Sequence, residues 1–295
     1  MVNSSNSNGI GVDLSKTCPV CLGTEIELIK LRHTLFRHSG FVDFQKEGTI
    51  GRCTGCQLLI NIMTASQEKE QVDISESVDY AKAPITNQTF LLENGKRVTR
   101  FSLQAELLKG FLINKEDTKV LDIGCFHGEL LLELFNRFPK AEFHGFDVNK
   151  HLKDNFPSKK NFTFHLSDLS NIEGEFDLIC MSMSMIYIKD ILGLLRNIRR
   201  LLKKEGKLFI QLVDINKNPY SILLGDQYYH FTPSILRNIL NKTGFDLVLQ
   251  DNEYFPRDIV GVAGLAQQHK ECQIQEDRSI YEAIKYLDQV MDQLC

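Results

Sequence analysis

The stretch of residues 120–131, VLDIGCFHGELL, decides the fold. It begins as a short apolar run typical of a buried strand, passes through a tight turn that holds Gly124 and Gly128, and ends in an apolar pattern typical of a helix. Glycine suits a backbone that turns sharply or comes close to a ligand, and the start of a helix presents free N–H groups. The stretch therefore predicts a nucleotide-like cofactor at the carboxyl end of a strand.

Strands and helices alternate along the chain around this stretch. Short apolar runs predict strands, and apolar residues at three- and four-residue steps predict helices. The predicted strands cover residues 119–123, 141–147, 161–167, 176–181, 207–213, 245–250 and 259–265, and the predicted helices cover residues 97–112, 128–138, 150–155, 188–204 and 233–243. The alternation predicts parallel βαβ units with a sheet that is buried on both faces.

Acidic residues at three successive strand ends indicate which cofactor the turn binds. The turn reads D-x-G-x-x-x-G rather than the G-x-G-x-x-G of dinucleotide sites, and Asp122 stands inside the strand end, where a positive group can use a carboxylate. Asp147 ends the next strand and can accept hydrogen bonds from both ribose hydroxyls. Asp168 follows the third strand and can meet an adenine amino group. This series fits S-adenosylmethionine, which carries an ammonium group, a ribose diol and an adenine in a row.

At these residues the sequence resembles the class I S-adenosylmethionine-dependent methyltransferases. The resemblance covers about residues 118–265 and includes "VLDIGCFHGELL", "FHGFDVN", "SDL", "FDLICMSMSMIYIKD" and the late helix segment "HFTPSILRNILNKTGFDLVL". It implies an α/β fold with a Rossmann-like, seven-stranded methyltransferase sheet whose last strand is antiparallel. One departure is Phe126, which stands where the commonest turn of the family has a third glycine.

The resemblance also implies a set of cofactor contacts. Asp122, Gly124 and Gly128 are expected to line the methionine moiety, Asp147 the ribose and Asp168 the adenine. The other expected contacts are Cys125, Phe126, His127, Val148, Ser167, Leu169, Met181 and Ser182. His127 either caps the following helix or lies against the cofactor, and position and family analogy suggest Tyr80 as part of a lid.

Three residues are candidates for catalysis on the acceptor. Relatives often have Glu-His where this chain has Ile186-Tyr187, so Tyr187 takes the place of the usual histidine. His230 can titrate near neutral pH and is a candidate base or substrate ligand, whereas the alternative is a structural histidine at a helix start. Tyr229, next to Tyr228, either forms an aromatic wall or packs in the core.

Two C-x-x-C pairs near the start predict a metal site. Cys18, Cys21, Cys53 and Cys56 supply four thiolates, which suit tetrahedral Zn²⁺ in a structural role because no coordination position stays open. The gap between the pairs requires a hairpin. Disulfides and a redox motif are the alternatives. A zinc-ribbon-like module before this core resembles bacterial sugar C-methyltransferases and related small-molecule methyltransferases, although the part after Leu265 is shorter here than in the sugar enzymes.

Composition sets the remaining expectations. The 295 residues are 43% hydrophobic and 24% charged with a net charge of −4, which excludes a largely disordered chain and makes nucleic acid an unlikely main partner. No apolar run is long enough for a membrane span, and the polar start predicts a cytoplasmic protein. We expect a disordered leader (1–16), the zinc module (17–60), linker and lid helices (61–115), the cofactor domain (116–267) and a C-terminal helix (268–295).

These observations predict an S-adenosylmethionine-dependent methyltransferase that acts on a small-molecule acceptor, either a sugar or another biosynthetic intermediate. One alternative is an RNA methyltransferase that uses the zinc module to bind nucleic acid. Another is a non-catalytic homologue that binds the cofactor. A homodimer is compatible with the sequence.

Overall fold

The computed structural model describes residues 14, 16–31, 34–38, 41–45, 48–84, 88–91, 95–112, 117–166, 168–251, 255–267 and 283–287. Ser167, one of the predicted cofactor contacts, lies outside the described residues. So does the predicted leader apart from Leu14 and Lys16. Of the predicted C-terminal helix, only residues 283–287 are described, and they are helical.

An antiparallel sheet forms the N-terminal part of the chain. Its strands and the hairpin between them are β1 (Ile26–Leu31), β2 (Thr34–His38), β3 (Phe41–Gln45), β4 (Gly48–Cys53) and β5 (Leu59–Asn61). β1 pairs with β4 and β4 with β5, while β2 and β3 pair with each other. The hairpin that the spacing of the cysteine pairs requires is therefore present.

Two helices follow where the sequence shows little periodicity. They are α1 (Ala65–Ser75) and α2 (Val78–Ala81). Thr64 caps α1 in a capping box with Gln67, and Ser77 accepts a hydrogen bond from Tyr80 at the start of α2. Side-chain caps thus define both helices, because no apolar stripe marks them.

A short hairpin precedes the helix that leads into the core. It consists of β6 (Thr89–Leu91) and β7 (Arg97–Thr99), and α3 (Arg100–Leu112) follows directly. The prediction of a helix over residues 97–112 was wrong for its first three residues, because they pair with β6.

The core is a seven-stranded sheet with helices on both faces. The elements of this part of the chain are β8 (Lys119–Ile123), α4 (Glu129–Phe135), β9 (Glu142–Phe146), β10 (Phe162–His165), β11 (Phe176–Ser182), α5 (Ile191–Leu201), β12 (Leu202–Val213), β13 (Tyr229–His230), α6 (Pro233–Lys242), β14 (Phe245–Asp251) and β15 (Asp258–Leu265). All of these strands except β13 belong to the seven-stranded sheet. Short 3-10 helices cover Lys150–Asn155, Leu169–Asn171, Met185–Tyr187 and Pro219–Leu223.

The strand order is β10-β9-β8-β11-β12-β15-β14. β15 runs antiparallel to both of its neighbours, and the other pairings are parallel. This arrangement confirms the predicted α/β sheet with an antiparallel last strand. The prediction of a helix over residues 188–204 was too long, because β12 begins at Leu202, and the segment 150–155 is a 3-10 helix rather than an α-helix.

Side chains alternate between the two faces of this sheet. In β8, Leu121 and Ile123 belong to the core cluster that contains α5 and α6, whereas Val120 belongs to the cluster that contains α3 and α4. Because neighbouring residues of a strand face opposite sides, Asp122 faces the α3–α4 side with Val120. Among the described residues, no helix is long and apolar enough to cross a membrane.

A two-residue strand joins the N-terminal part to the core. β13 pairs with β5, so the N-terminal sheet has the order β1-β4-β5-β13. The predicted module of residues 17–60 therefore completes its sheet with residues 229–230, which lie far away in the sequence.

Candidate functional site

The turn after β8 adopts a left-handed backbone at three positions. Gly124 has φ 75°, Phe126 φ 48° and Gly128 φ 81°. A Cβ atom on Gly124 would overlap the Cβ atom of Ser184, so only glycine fits there. Phe126, at the position where the commonest family turn has glycine, adopts the same left-handed backbone at a cost of roughly 1–2 kcal/mol. The departure from the family motif therefore leaves the turn intact.

Asp122 places a buried carboxyl group at the carboxyl end of β8. The residue is 4% exposed, and its Oδ1 has no hydrogen-bond partner among the described residues. Burial, aided by the negative charges of Asp147 and Glu129, raises the pKa of Asp122 to about 8. A buried acceptor without a donor is unfavourable, so the arrangement suits a ligand that brings a hydrogen-bond donor or a positive charge.

Asp147, at the end of the neighbouring strand β9, is held by backbone amides. Its Oδ2 accepts a hydrogen bond from the amide of Phe126 at 3.2 Å, and its Oδ1 accepts one from Asn149 at 3.1 Å. Burial raises the pKa of the Asp147 carboxyl, while these amide bonds oppose the shift. The carboxylate is thereby fixed beside the glycine turn.

The other predicted contacts on this side differ in exposure. Val148 is 61% exposed, Asp168 is exposed, and Leu169 is half-buried. Asp168 occupies the N-cap position of the 3-10 helix Leu169–Asn171 without a side-chain capping bond. Cys125 is buried, and its carbonyl oxygen accepts a hydrogen bond from the amide of Gly128. An exposed Asp168 leaves its carboxylate accessible from solvent.

Aromatic rings and α2 cover the glycine turn. The rings of Phe126 and His127 stack with their centroids 4.0 Å apart, and the edge of Tyr80 meets Phe126 at 5.6 Å. Nε2 of His127 lies 2.8 Å from the carbonyl oxygen of Ala81. His127 thus contacts α2.

Asn149 also connects the linker helices to the core. It is fully buried, and its Nδ2 donates to the carbonyl oxygens of Ser75 at 2.9 Å and Ser77 at 2.8 Å. Asn155 donates to Ala81 in the same way at 3.3 Å. The segment α1–α2 therefore lies over the turn, where a lid was predicted from Tyr80.

The end of β11 approaches the turn from the other side. Met181 is buried, and Ser182 Oγ accepts a 2.7 Å hydrogen bond from Nε2 of Gln104. Ser184 Oγ donates to the carbonyl oxygen of Ile123 at 2.6 Å, which ties the loop after β11 to the end of β8. Gln104 was missed in the sequence, although a polar residue beside the apolar stripe of α3 is a visible signal.

The three predicted catalytic residues lie next to the junction with the N-terminal sheet. Tyr187 is half-buried in the 3-10 helix Met185–Tyr187. Tyr229 is fully buried, its hydroxyl donates to the carbonyl oxygen of Lys189, and burial raises its pKa. These contacts of Tyr229 are structural, so its catalytic role stays a prediction.

His230 is the most unusual of the three. It is 2% exposed, and neither ring nitrogen has a hydrogen-bond partner among the described residues. Burial lowers the pKa of His230 to about 4, so the imidazole is neutral at pH 7. A structural histidine at this position would be expected to use at least one ring nitrogen.

The four predicted cysteines form one cluster. Their sulfur atoms all lie within 4.8 Å of one another, with 3.4 Å between Cys18 and Cys56 and 3.3 Å between Cys21 and Cys53. Tetrahedral zinc with Zn–S bonds of about 2.3 Å places sulfurs roughly 3.8 Å apart. The cluster therefore has the donor set and the size of a four-cysteine zinc site.

The two cysteine turns have the same backbone geometry. The amide of Leu22 donates to Cys18 at 3.0 Å and that of Gln57 to Cys53 at 2.9 Å, and both donors have a left-handed backbone with φ of 59° and 63°. The close thiols share their charge unevenly, because the hydrogen bonds among them lower the pKa of Cys53 and raise the pKa values of Cys18 and Cys56. A thiolate is the form that binds metal.

Known proteins resemble this chain from the helix before the core to β14. The family model described as a methyltransferase domain matches residues 96–250. A malonyl-[acyl-carrier protein] O-methyltransferase of Magnetococcus marinus is 26% identical over 144 residues, which are 46% of this chain and 49% of that protein. A tRNA U34 carboxymethyltransferase of Campylobacter fetus is 30% identical over 154 residues, or 47% of this chain and 54% of that protein.

The chain spans about half the length of these curated relatives. Among solved structures, CalO1, described as a methyltransferase in calicheamicin biosynthesis in its SAH-bound form, is 14% identical with a TM-score of 0.47. That match covers 56% of this chain and 54% of the other.

Proposed function

The chain belongs to the methyltransferase-domain family, and from this premise we propose that it transfers the methyl group of S-adenosylmethionine to a small-molecule acceptor. The observation that carries the proposal is the buried Asp122 carboxyl group, whose Oδ1 lacks a partner among the described residues, beside a turn that only glycine can make at position 124. A dinucleotide would bring its negatively charged pyrophosphate to this turn, whereas S-adenosylmethionine brings an ammonium group.

We assign the parts of the cofactor to the three acidic residues. Asp122 would bind the ammonium group, Asp147 the ribose hydroxyls and Asp168 the adenine amino group. Bound there, the cofactor would supply an electrophilic methyl group on a sulfonium. The chain itself orients the carboxylate of Asp147 with two backbone amides, and the rings of Phe126 and Tyr80 pack edge to face beside the turn.

We propose His230 as the residue that receives a proton from the acceptor. Its neutral imidazole has two ring nitrogens without a described partner, so one of them is available as a base. Tyr187, on the 3-10 helix after β11, is the second candidate for a contact with the acceptor. The displacement requires the acceptor atom about 3–3.5 Å from the methyl carbon, which makes positioning the main task of the protein.

We propose that Cys18, Cys21, Cys53 and Cys56 bind one structural Zn²⁺. Four thiolate ligands complete a tetrahedron and leave no position for water or substrate, which separates this metal from the chemistry. The ion would neutralise the thiolates that the compact cluster brings together. It would thereby stabilise a sheet that is small for a core of its own.

The position of the N-terminal sheet favours a small acceptor over RNA. Arg52 is buried, and its guanidinium group pairs with Glu27 at 2.8 Å and donates a hydrogen bond to Gln57 at 2.9 Å. The sheet also pairs through β5 with β13 of the core. Because the N-terminal sheet is joined to β13, which contains the proposed base His230, this sheet is suited to forming a wall of the acceptor site.

A methyl-transfer assay tests the proposal. Zinc-loaded protein is incubated with S-adenosylmethionine labelled in its methyl group and with separate pools of nucleotide sugars, small phenols, small carboxylic acids and bulk tRNA. We expect label in one of the small-molecule pools and none in tRNA. Label in tRNA alone would overturn the assignment to small molecules, and His230→Gln should abolish transfer to the accepted pool.

A further inference from the structure

A chain of buried polar side chains crosses the sheet beneath α3. Nε2 of Gln104 donates to Ser182 Oγ at 2.7 Å and also to Oε1 of Gln211, whose Nε2 donates to Asp258 Oδ2 at 2.6 Å. Arg100, one turn before Gln104 on α3, places Nη2 3.8 Å from the same oxygen of Asp258. Ser182, one of the predicted cofactor contacts, stands at one end of this chain.

The hydrogen bonds in this series of side chains have a fixed donor-to-acceptor direction. Burial raises the pKa of the Asp258 carboxyl, but the hydrogen bond from Gln211 and the charge of Arg100 favour its ionised, accepting form. Gln211 therefore donates from its amide nitrogen to Asp258 and accepts with its amide oxygen. Gln104 in turn donates to that oxygen from its own amide nitrogen. As a result, Oε1 of Gln104 is buried and has no hydrogen-bond partner among the described residues.

This oxygen lies on the same face of the sheet as the carboxyl group of Asp122. Cys180 stands opposite Asp122 in the register of β8 and β11, and the charge of Asp122 helps to raise the pKa of the Cys180 thiol. Ser182 follows two residues later and so faces the same side. The spacing of the strands and the rise along β11 put the Cα atom of Ser182 about 8 Å from that of Asp122. Because Gln104 is hydrogen-bonded to Ser182, the side chains of Gln104 and Asp122 can together bridge this distance.

We propose that Oε1 of Gln104 and Oδ1 of Asp122 jointly bind the ammonium group of the ligand, with Gln211 and Asp258 as positioning residues that hold Gln104 in this orientation. This inference rests on the proposed function, which supplies a ligand with such a group. An ammonium group has three donors and no acceptor, so it can satisfy both buried oxygens at once. It also explains why a fully buried glutamine occupies the core side of α3.

Calorimetry with two probes tests the assignment. S-Adenosylhomocysteine carries the ammonium group, whereas 5′-methylthioadenosine keeps the adenosine and the sulfur but lacks the amino-acid part. For Gln104→Leu we expect the affinity for S-adenosylhomocysteine to fall about tenfold or more, because a hydrogen bond to a charged group is lost. The affinity for 5′-methylthioadenosine should stay within about twofold, which also shows that the variant is folded.

Two further variants complete the design. Gln211→Leu should weaken S-adenosylhomocysteine selectively as well, because it releases Gln104 from its fixed orientation. Asn238→Leu removes a buried amide from α6, on the opposite face of the sheet, and should leave both affinities unchanged. A general packing effect would instead weaken both probes in the variants of α3 and β12.

The outcomes separate this inference from the proposed function. If Gln104→Leu binds S-adenosylhomocysteine as tightly as the wild type, or weakens both probes equally, the role of Gln104 is overturned. A wild-type chain that binds neither probe overturns the proposed function itself, and this inference with it.

Discussion

The backbone amide of Asn61 donates a 2.8 Å hydrogen bond to the carbonyl oxygen of Tyr228, while its side-chain Nδ2 donates to Leu224 at 3.2 Å. One residue of the N-terminal sheet thus holds both ends of a loop of the core. His230 follows in β13, which pairs with β5, so the N-terminal sheet fixes the backbone of the proposed base. The N-terminal sheet and residues 224–230 of the core therefore form one structural unit.

Asn61→Ala should therefore loosen residues 224–231 selectively. It removes the bond to Leu224, and we expect faster amide hydrogen exchange in residues 224–231 with no change in β8 or β9. Asn197→Ala is the matched control, because the Asn197 side chain donates to Gly193 within its own helix. Equal exchange in the wild type and in Asn61→Ala would refute the coupling.

Removal of the metal should act on the same loop. We expect one zinc ion per chain, and chelation should raise the exchange of residues 224–231 while S-adenosylhomocysteine still binds. Cys56→Ser should lose the metal, whereas Cys180→Ser should retain it, because Cys180 lies in the core sheet outside the cluster. A zinc content that Cys56→Ser leaves unchanged would contradict the metal assignment.

Asp122→Asn should stabilise the ligand-free protein. The folded pKa of about 8 lies well above the ordinary value of about 4, so the folded state retains a proton that the unfolded state releases. The wild type therefore loses stability as pH rises from about 4 to about 8, and an amide removes this dependence. The gain in free energy of unfolding should be on the order of 2–4 kcal/mol near pH 8 and about a third of that near pH 5.

Urea unfolding at the two pH values measures this gain. Asp154→Asn, which changes an exposed carboxylate on the 3-10 helix after β9, should have no comparable effect. A stability difference between Asp122→Asn and the wild type that does not grow with pH would show that the carboxyl group is not buried as described.

His230→Leu should make the stability of the protein less sensitive to acid. The folded pKa of about 4 lies below the ordinary value of about 6.5, so the unfolded state binds a proton that the folded state does not. Stability of the wild type should fall as pH drops from about 6.5 to about 4, and the leucine variant should fall less, by roughly 2 kcal/mol. Thermal unfolding across this range checks the slope, and unchanged binding of S-adenosylhomocysteine separates the effect from the cofactor site.

The sequence predicted what local patterns encode. β8 has the predicted bounds of Lys119–Ile123, because a run of buried residues between polar neighbours defines a central parallel strand. The cysteine cluster follows from spacing alone, since two tight turns can present four sulfurs to one ion.

The remaining features depend on contacts between distant residues. β13 has two residues and exists only because it pairs with β5, some 170 positions earlier in the chain, so no local pattern marks it. α1 has little amphipathic character and is set by its Thr64 cap. The role of Gln104 emerges only when Gln211 and Asp258 fix its orientation from other strands.

The central claim is that the turn after β8 binds S-adenosylmethionine through Asp122. The most direct test is a calorimetric titration of zinc-loaded protein with S-adenosylhomocysteine, with the wild type and Asp122→Asn measured side by side. We expect one molecule bound per wild-type chain and an affinity about a hundredfold lower for Asp122→Asn, because a buried charged hydrogen bond is lost. Absence of binding to the wild type, or equal affinity of the two proteins, would contradict the account.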